Sequence, residues 1–257
     1  MLAACGGSAV DGRVVVQRFP DTILVPGNVR LPISLAEANG TLLSGGPASL
    51  NATLLDQNSV VVATLTATRR DLGKATTSFW VFRTDIAAPG IYELVVENLE
   101  PAALQVLQPN QVAMPKIGTT LPGFDTPTVD NHRGVEPYCS RVDGPCPLHD
   151  VTLTQALASG LPVVYIVGTP GHCQTASCGP GLEFVVAAAT RVGPKAVFVH
   201  ADVYADDAAT ILAPAVDALQ LTYEPVVFFV DKTGTIVERL DAVWDQAEVD
   251  AAVSLIV

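Results

Sequence analysis

The first half of the chain alternates between short β-prone runs and turn-forming residues. Such turn formers include Pro26-Gly27, Asn39-Gly40 and Pro89-Gly90. The seven β-prone runs cover 14–18, 29–35, 49–56, 60–66, 76–83, 91–97 and 103–107. No convincing helical spacing interrupts them, so the pattern predicts an all-β sandwich over residues 13–107.

The pattern changes after residues 108–116, which have Pro109 and Pro115 near their ends and which we interpret as a linker. Beyond it, apolar runs typical of buried strands alternate with apolar residues at helical spacing. Strands are predicted at 163–167, 196–203, 226–230 and 235–240, and helices at 181–191, 208–219 (interrupted by Pro214) and 246–256. The order β-α-β-α-β-β-α predicts an α/β domain over residues 117–257.

Composition narrows the classes of partner. The 257 residues are enough for two domains, and 49% of them are hydrophobic while 16% are charged. The net charge of −12 offers no basic stripe for phosphates, so we expect neither nucleic-acid binding nor electrostatic docking on an anionic membrane. No apolar run reaches the roughly 18 residues that would cross a bilayer.

The N-terminus carries a short motif of small residues around a cysteine. Leu2-Ala3-Ala4-Cys5, followed by Gly6-Gly7-Ser8, resembles the lipobox of bacterial lipoproteins. The resemblance implies an exported chain at the cell surface or periplasmic face of the membrane. There residues 1–12 would form a tether, and lipidated Cys5 would be the sole membrane contact. The alternative is a chance occurrence in an alanine-rich chain.

Four other cysteines form two close pairs, Cys139 with Cys146 and Cys173 with Cys178. In an exported protein, this pattern predicts disulfides. The turn 143–145, Asp-Gly-Pro, would let the first pair meet, and we favour a structural disulfide there over a second redox pair. No histidine at zinc-finger spacing lies between the pairs, so we do not expect a structural zinc site.

Three segments of the second half resemble one protein superfamily. These are residues 117–124, with a Gly, a Pro and a Phe; Thr169-Pro170-Gly171-His172-Cys173 after a buried strand; and 223–231, which opens with Tyr223-Glu224-Pro225. Together they resemble the redoxin and peroxiredoxin branch of the thioredoxin-like superfamily. The resemblance implies a thioredoxin fold, an active-site cysteine at Cys173 and a cis peptide bond before Pro225.

A fourth segment, in the first half, resembles another family. Pro89-Gly90-Ile91-Tyr92 and the alternating residues after it are similar to a late strand of immunoglobulin-like domains. In that family a tyrosine often pins the corner of the sandwich. We found no cluster of catalytic residue types in this half, and we interpret it as a spacer or interaction module.

A cysteine at the start of a helix is suited to redox chemistry. The unpaired N–H groups and the dipole of the helix stabilise a thiolate, and protonated His172 would add to that effect. We therefore expect Cys173 to be the nucleophile, Cys178 the resolving thiol and Pro225 part of the substrate groove. On a regular helix, residues five apart exceed the reach of a disulfide. Either the helix starts near Pro180, or oxidation unwinds its first turn.

These residues indicate a membrane-tethered thiol–disulfide oxidoreductase without a cofactor, with protein or small-molecule thiols and disulfides as partners. The strand 163–167 lacks the buried acid that thioredoxins often carry there, which argues against fast reductase activity.

Three alternatives stay open. A two-cysteine thiol peroxidase is one, because four residues between the cysteines resemble the bacterioferritin comigratory peroxiredoxins; His172, however, displaces Thr169, and Glu224-Pro225 stands where that family has an arginine. A copper site is another, because Sco-type proteins are similar here, and it would use Cys173, Cys178 and His200. The third is a binding module whose cysteines form structural disulfides.

Overall fold

The chain folds into two compact units, Met1–Val112 and Ala113–Val257. The computed structural model describes residues 12–20, 22–73, 77–173 and 176–257. The division lies inside the segment 108–116 that the sequence predicts as a linker, in which Pro109–Gln111 form one 3₁₀ turn. Within the described ranges, none of the helices has the length and apolarity that crossing a bilayer requires.

Each of the seven β-prone runs of the first unit forms a strand. They are β1 (Arg13–Gln17), β2 (Gly27–Glu37), β3 (Ser49–Asp56), β4 (Val61–Asp71), β5 (Ser78–Ile86), β6 (Gly90–Val96) and β7 (Ala102–Val106). All neighbours are antiparallel, in the order β1-β2-β5-β4-β3-β6-β7. Strand β4 pairs with β3 over most of its length and with β5 only through Arg69–Asp71, so it runs from one group of strands to the other.

The core of this unit follows from alternation along the strands. In β6, Tyr92, Leu94 and Val96 are buried while Ile91 and Glu93 face solvent. The Tyr92 hydroxyl donates a hydrogen bond to the carbonyl oxygen of Ala88, at 2.8 Å, so the buried ring keeps its polar atom paired. The first unit is thus a large antiparallel β domain.

The second unit is an α/β domain. Its elements are α1 (Leu153–Ala158), β8 (Val163–Val167), α2 (Cys178–Val192), β9 (Val197–Ala201), α3 (Pro214–Leu219), β10 (Val226–Val230), β11 (Ile236–Asp241) and α4 (Gln246–Val253). The sheet order is β11-β10-β8-β9, with β8 and β9 parallel and β10 antiparallel to both β8 and β11. The predicted succession from β8 onward is therefore confirmed.

The two central strands explain why this sheet is covered on both faces. Every residue of β8 and β10 is buried, as their uninterrupted apolar runs predict. Helix α2 packs Leu182 and Val185 into the same core as Val164 and Phe229.

Two helices are shorter than the sequence predicts. The predicted helix 208–219 is helical only from Pro214, because proline is favoured in a first turn, where its missing N–H is not needed. Before it, the Asp206 side chain accepts hydrogen bonds from the backbone N–H groups of Thr210 and Ile211, at 2.9 and 2.7 Å, and holds a turn. The last helix ends at Val253 rather than at residue 256.

The opening segment of the domain lies along the edge of the sheet. The N–H of Gly118 donates to the carbonyl of Ile236, and that of Leu121 to the carbonyl of Gly234, at 2.8 and 3.0 Å. The segment thus covers part of the outer edge of β11.

Candidate redox site

The paired cysteines lie where β8 leads into α2. A 3₁₀ turn, Pro170–His172, precedes Cys173, and α2 begins at Cys178. Cys173 and Cys178 form a disulfide with their Cα atoms 5.9 Å apart. The bond is geometrically possible because Cys173 lies outside the helix. The helix starts at Cys178, two residues before Pro180, so the first of the two expectations, a helix that starts near Pro180, is confirmed.

The geometry around the two sulfurs is asymmetric. The backbone N–H of Cys178 donates to Sγ of Cys173, at 3.1 Å, and it is the first N–H of a helix of 15 residues. Cys178 is only 1% exposed, whereas Cys173 is half-buried. An N–H donor at this position would stabilise a thiolate on the more accessible sulfur once the disulfide is reduced.

Pro225 and Cys178 both pack close to Gly168. A side-chain Cβ at position 168 would lie 3.0 Å from Cβ of Pro225 and 3.7 Å from Cβ of Cys178. The Glu224–Pro225 peptide bond is cis, as expected. Residue 168 therefore has to be small for these two groups to approach each other.

A carboxyl group lies beside this loop. The backbone N–H of Thr169 donates to Oε2 of Glu224, at 2.5 Å. Burial raises the pKa of Glu224, against the opposing effect of this hydrogen bond. Strand β8 contains no acidic residue. The carboxyl group beside the loop comes instead from Glu224, the residue before Pro225.

Thr169 is itself fully engaged. Its side chain is buried, and its hydroxyl oxygen accepts a hydrogen bond from the N–H of Val203, at 2.8 Å. The hydroxyl is thus held by the backbone that follows β9.

His172 lies next to Cys173 in sequence and is half-buried. Its ring packs edge-on against Tyr204, with the ring centres 6.0 Å apart. Its electrostatic effect on Cys173 stays a prediction. Cys5, the predicted lipidation site, lies outside the described residues.

The second cysteine pair does not form the expected structural disulfide. Cys139 and Cys146 are free, buried thiols. Their Sγ atoms lie 3.7 and 3.4 Å from Nδ1 of His200, and Nε2 of His149 lies 3.1 Å from that same Nδ1. The sulfurs are thus directed to two imidazoles, and these four side chains are a group that could hold a metal ion.

His200 consequently belongs to a different site from the one predicted. The copper alternative joined it to Cys173 and Cys178, which are bonded to each other, while His200 lies with Cys139 and Cys146. The expectation of no structural zinc site rested on the lack of a histidine at zinc-finger spacing between the pairs, and it overlooked His149. The missed signal is the spacing Cys146-Pro147-Leu148-His149, two residues between a thiol and an imidazole.

The sheet positions this second group. His200 lies in β9, and its N–H donates to the carbonyl of Leu148, at 3.0 Å, so the segment carrying Cys146 and His149 runs along the free edge of β9. The ring of Tyr138 packs edge-on against that of His149, with the ring centres 5.1 Å apart.

Without a metal ion the two buried thiols are strongly unequal. A hydrogen bond with Cys146 lowers the pKa of Cys139, and the same bond together with burial raises the pKa of Cys146. Burial opposes protonation of His200, but Cys139 and Asp202 outweigh it and raise its pKa. The group favours negative charge on one sulfur and positive charge on a neighbouring ring.

The second group also contacts the redox loop. Nε2 of His200 donates to the carbonyl of Gly168, at 2.8 Å. The hydroxyl of Ser140 accepts a hydrogen bond from the N–H of Gly171, at 3.1 Å. Both ends of the loop between β8 and Cys173 are therefore tied to residues in or beside the Cys139 group.

Comparisons with known proteins give one kind of match. No protein-family model matches the chain, and no curated protein matches it. Among solved structures it is similar to a thiol:disulfide interchange protein of the thioredoxin family from Chlorobium tepidum TLS. The sequence identity is 15% and the TM-score 0.38, and the match covers 55% of this chain and 97% of that chain. We therefore base the functional proposal on the geometry of the site.

Proposed function

We propose that the chain is a thiol–disulfide oxidoreductase that acts through Cys173 and Cys178. The observation that carries this proposal is the disulfide at the start of α2, in which the more accessible sulfur accepts the first N–H of the helix. A thiolate at that position is both stabilised and reachable.

The reaction follows from the positions of the two sulfurs. The thiolate of reduced Cys173 attacks a disulfide of the substrate, the substrate S–S bond breaks, and one thiolate leaves as a mixed disulfide forms. Buried Cys178, once deprotonated, then attacks Sγ of Cys173. The internal disulfide closes and the second substrate thiolate leaves. The substrate gains two electrons and the protein loses two; the reverse sequence oxidises a dithiol.

Peroxide reduction fits the site less well. It needs donors that hold the peroxide in line, and in peroxiredoxins these are a threonine hydroxyl and an arginine. Here the hydroxyl of Thr169 accepts from the N–H of Val203 and is hydrogen-bonded to the carboxyl of Glu224, which also accepts the backbone N–H of Thr169. A carboxylate repels the developing charge that an arginine would stabilise.

The proposal also covers the fold of the first unit and the location of the chain. We assign the first unit an immunoglobulin-like sandwich, on the basis of its seven antiparallel strands and the hydrogen bond from Tyr92 to Ala88. We also propose that the chain is exported and tethered by a lipid on Cys5, on the basis of the lipobox-like sequence. The sandwich would then act as a spacer or an interaction module.

Exchange with a model disulfide tests the central proposal. We expect Cys173→Ser to abolish reduction of oxidised glutathione and of a peptide disulfide, because it removes the attacking thiolate. We expect Cys178→Ser to accumulate the mixed disulfide, which mass spectrometry detects, because no thiol resolves it. Peroxide consumption, measured in parallel, should be slower than exchange in the wild type. The redox potential of the pair should lie well above about −300 mV.

Cys5→Ser is the matched control. It should keep the exchange rate while releasing the chain from the membrane fraction of the cells that produce it. An unchanged exchange rate in Cys173→Ser would refute the oxidoreductase. A peroxide rate that exceeds exchange and vanishes in that variant would favour the peroxidase instead.

A further inference from the structure

Four buried side chains outside the redox pair converge on one point. Cys139, Cys146, His149 and His200 each offer one donor atom, and these atoms all lie within 4.8 Å of one another. The four residues are nearly inaccessible, with exposures of 4%, 3%, 0% and 0%. Buried polar atoms normally find partners, so this arrangement requires a physical explanation.

The distances from Nδ1 of His200 to the other three ligand atoms match a tetrahedral metal site. Metal–nitrogen bonds of about 2.0–2.1 Å and metal–sulfur bonds of about 2.3 Å place tetrahedral ligands about 3.4 Å apart for two nitrogens and about 3.5 Å apart for nitrogen and sulfur. The observed separation of the two ring nitrogens is 3.1 Å, and those from Nδ1 of His200 to the sulfurs are 3.7 and 3.4 Å. All three agree to within about 0.3 Å with that geometry.

The outer nitrogens of the rings fix which atoms face inward. Nε2 of His200 lies 2.8 Å from the carbonyl of Gly168, and Nδ1 of His149 lies 3.4 Å from the carbonyl of Pro127. A carbonyl only accepts, so both outer nitrogens carry the proton. In neutral rings the inner nitrogens, Nδ1 of His200 and Nε2 of His149, then face each other as bare lone pairs.

Two lone pairs at that separation repel unless a proton or a metal ion lies between them. A metal ion satisfies both, and it satisfies the two sulfurs as well. Histidines that bind a metal usually donate their outer N–H to a backbone carbonyl, a carboxylate or a water, as both rings do here. The N–H of Cys146, which donates to Sγ of Cys139 at 3.3 Å, also suits a thiolate ligand. Two thiolates balance the charge of a divalent ion.

We propose that Cys139, Cys146, His149 and His200 bind one Zn²⁺ ion as a closed, tetrahedral structural site. Two thiolates and two imidazoles in tetrahedral geometry are a ligand set typical of zinc. Four protein ligands leave no position for substrate, so the ion stabilises structure rather than reacting. Its binding displaces protons from the ligand side chains.

The site fastens the redox loop. One ligand, His200, holds Gly168, and Ser140, next to the ligand Cys139, holds the N–H of Gly171. Asp202 strengthens this link, since its Oδ2 accepts from the N–H of Ser140, at 2.8 Å, and its Oδ1 lies 3.3 Å from Nε2 of His200. The zinc proposal itself does not depend on the oxidoreductase proposal.

Metal content of the full-length chain tests the proposal. The chain is purified with zinc under reducing conditions, and the bound metal is quantified by inductively coupled plasma mass spectrometry. We expect one zinc per chain in the wild type, and a small fraction of that in Cys146→Ser and in His149→Asn. Cobalt(II) offered to the metal-free wild type should give the strong visible absorption of a tetrahedral site and a thiolate-to-metal charge-transfer band.

Two controls separate this site from the redox pair. His132 is hydrogen-bonded to Glu136 and is not one of the four proposed ligands. The His132→Asn variant should therefore retain zinc. Cys173→Ser should lose disulfide exchange and retain zinc, so failure of one proposal is distinguishable from failure of the other. Wild-type chain that binds no zinc, that binds copper(I) but no zinc, or that carries a Cys139–Cys146 disulfide in non-reducing peptide maps overturns the proposal. The cobalt spectrum decides the matter if the variants do not fold.

Discussion

Individual atoms decide which chemistry the redox site favours. The accessible sulfur of Cys173 receives a helix N–H, while the hydroxyl of Thr169 is occupied and a carboxyl replaces the arginine of peroxiredoxins. Disulfide exchange needs only the stabilised, accessible sulfur. Peroxide reduction needs in addition a threonine hydroxyl that is free to donate and an arginine in place of the carboxyl. The same few atoms therefore favour one reaction over the other.

The carboxyl of Glu224 should affect stability in a pH-dependent way. Burial raises its pKa in the folded chain, so the native state keeps the proton at pH values where the unfolded chain has lost it. The stabilisation is complete below the pKa of the unfolded chain and is lost as the pH rises through the raised folded pKa. We expect Glu224→Gln to flatten the fall in unfolding free energy across that window, because glutamine stays neutral and still accepts from Thr169.

Denaturant unfolding of both proteins over a pH series measures this effect. The exposed Asp207, replaced by Asn, is the control in the same unit and should leave the pH dependence as in the wild type. An identical pH dependence in the wild type and Glu224→Gln would contradict the assignment.

Local geometry was predictable where the residues adjoin in sequence. The disulfide between Cys173 and Cys178 and the cis bond before Pro225 were predicted because each belongs to a contiguous motif at the end or the start of a strand. The group of Cys139 was not, because His149 and His200 lie 51 positions apart and are joined only by the sheet edge. No contiguous pattern encodes the approach of these two histidines. The two-residue spacing between Cys146 and His149 indicates only two of the four residues in the group.

Helix α2 connects the redox pair with the core of its domain. It begins at Cys178, and three residues later Gly181 meets the indole of Trp244, whose Nε1–H donates to the carbonyl of Gly181, at 3.2 Å. That hydrogen bond fixes the ring, so the helix cannot move away without losing it. The first turn of α2, and with it the position of Cys178, depends on this contact.

Gly181→Ala should therefore destabilise the second unit. The added Cβ would lie 2.9 Å from Cζ2 of Trp244, a contact that forces the ring or the helix to shift. We expect a loss of about 1–3 kcal/mol in the free energy of unfolding, as for overpacked cores. Gly179→Ala is the matched control, since its Cβ meets nothing within 4 Å. There, lower backbone entropy of the unfolded chain should raise stability by up to about 1 kcal/mol.

Thermal and denaturant unfolding of the two variants decide between these outcomes. Equal stability of Gly181→Ala and the wild type would mean that the indole moves at no cost. The packing of α2 against Trp244 would then not hold the redox pair in place.

Elements were predictable where one pattern dominated the sequence. The continuous apolar runs of β8 and β10 mark strands covered on both faces, and the alternation in β6 marks one exposed face. The helix before β10 was misjudged because alanines around 208 fit helical spacing. The side chain of Asp206 offers the backbone a competing turn. Local hydrogen bonds of this kind outweigh weak helix propensity.

The whole chain forms two compact units. Among the described residues, the first unit contains antiparallel strands and no α-helix, and the second carries both the paired cysteines and the proposed zinc ligands. Everything that the proposed chemistry requires thus lies after residue 112. The first unit is then free to serve as a spacer or as an interaction module.

A fragment of residues 113–257 should consequently fold and react by itself. It contains the complete sheet, its helices and both cysteine pairs, and it is large enough to bury its own core. We expect it to unfold cooperatively, to bind zinc, and to reduce a peptide disulfide within about twofold of the full chain, since thiolate attack depends on local geometry. The same fragment with Cys173→Ser gives the background rate, and residues 1–112 alone should show none. Circular dichroism during heating, with the exchange assay alongside, measures both properties. A fragment that folds but loses most of its exchange would mean that the first unit contributes to the reaction, and its role as a mere spacer would have to be abandoned.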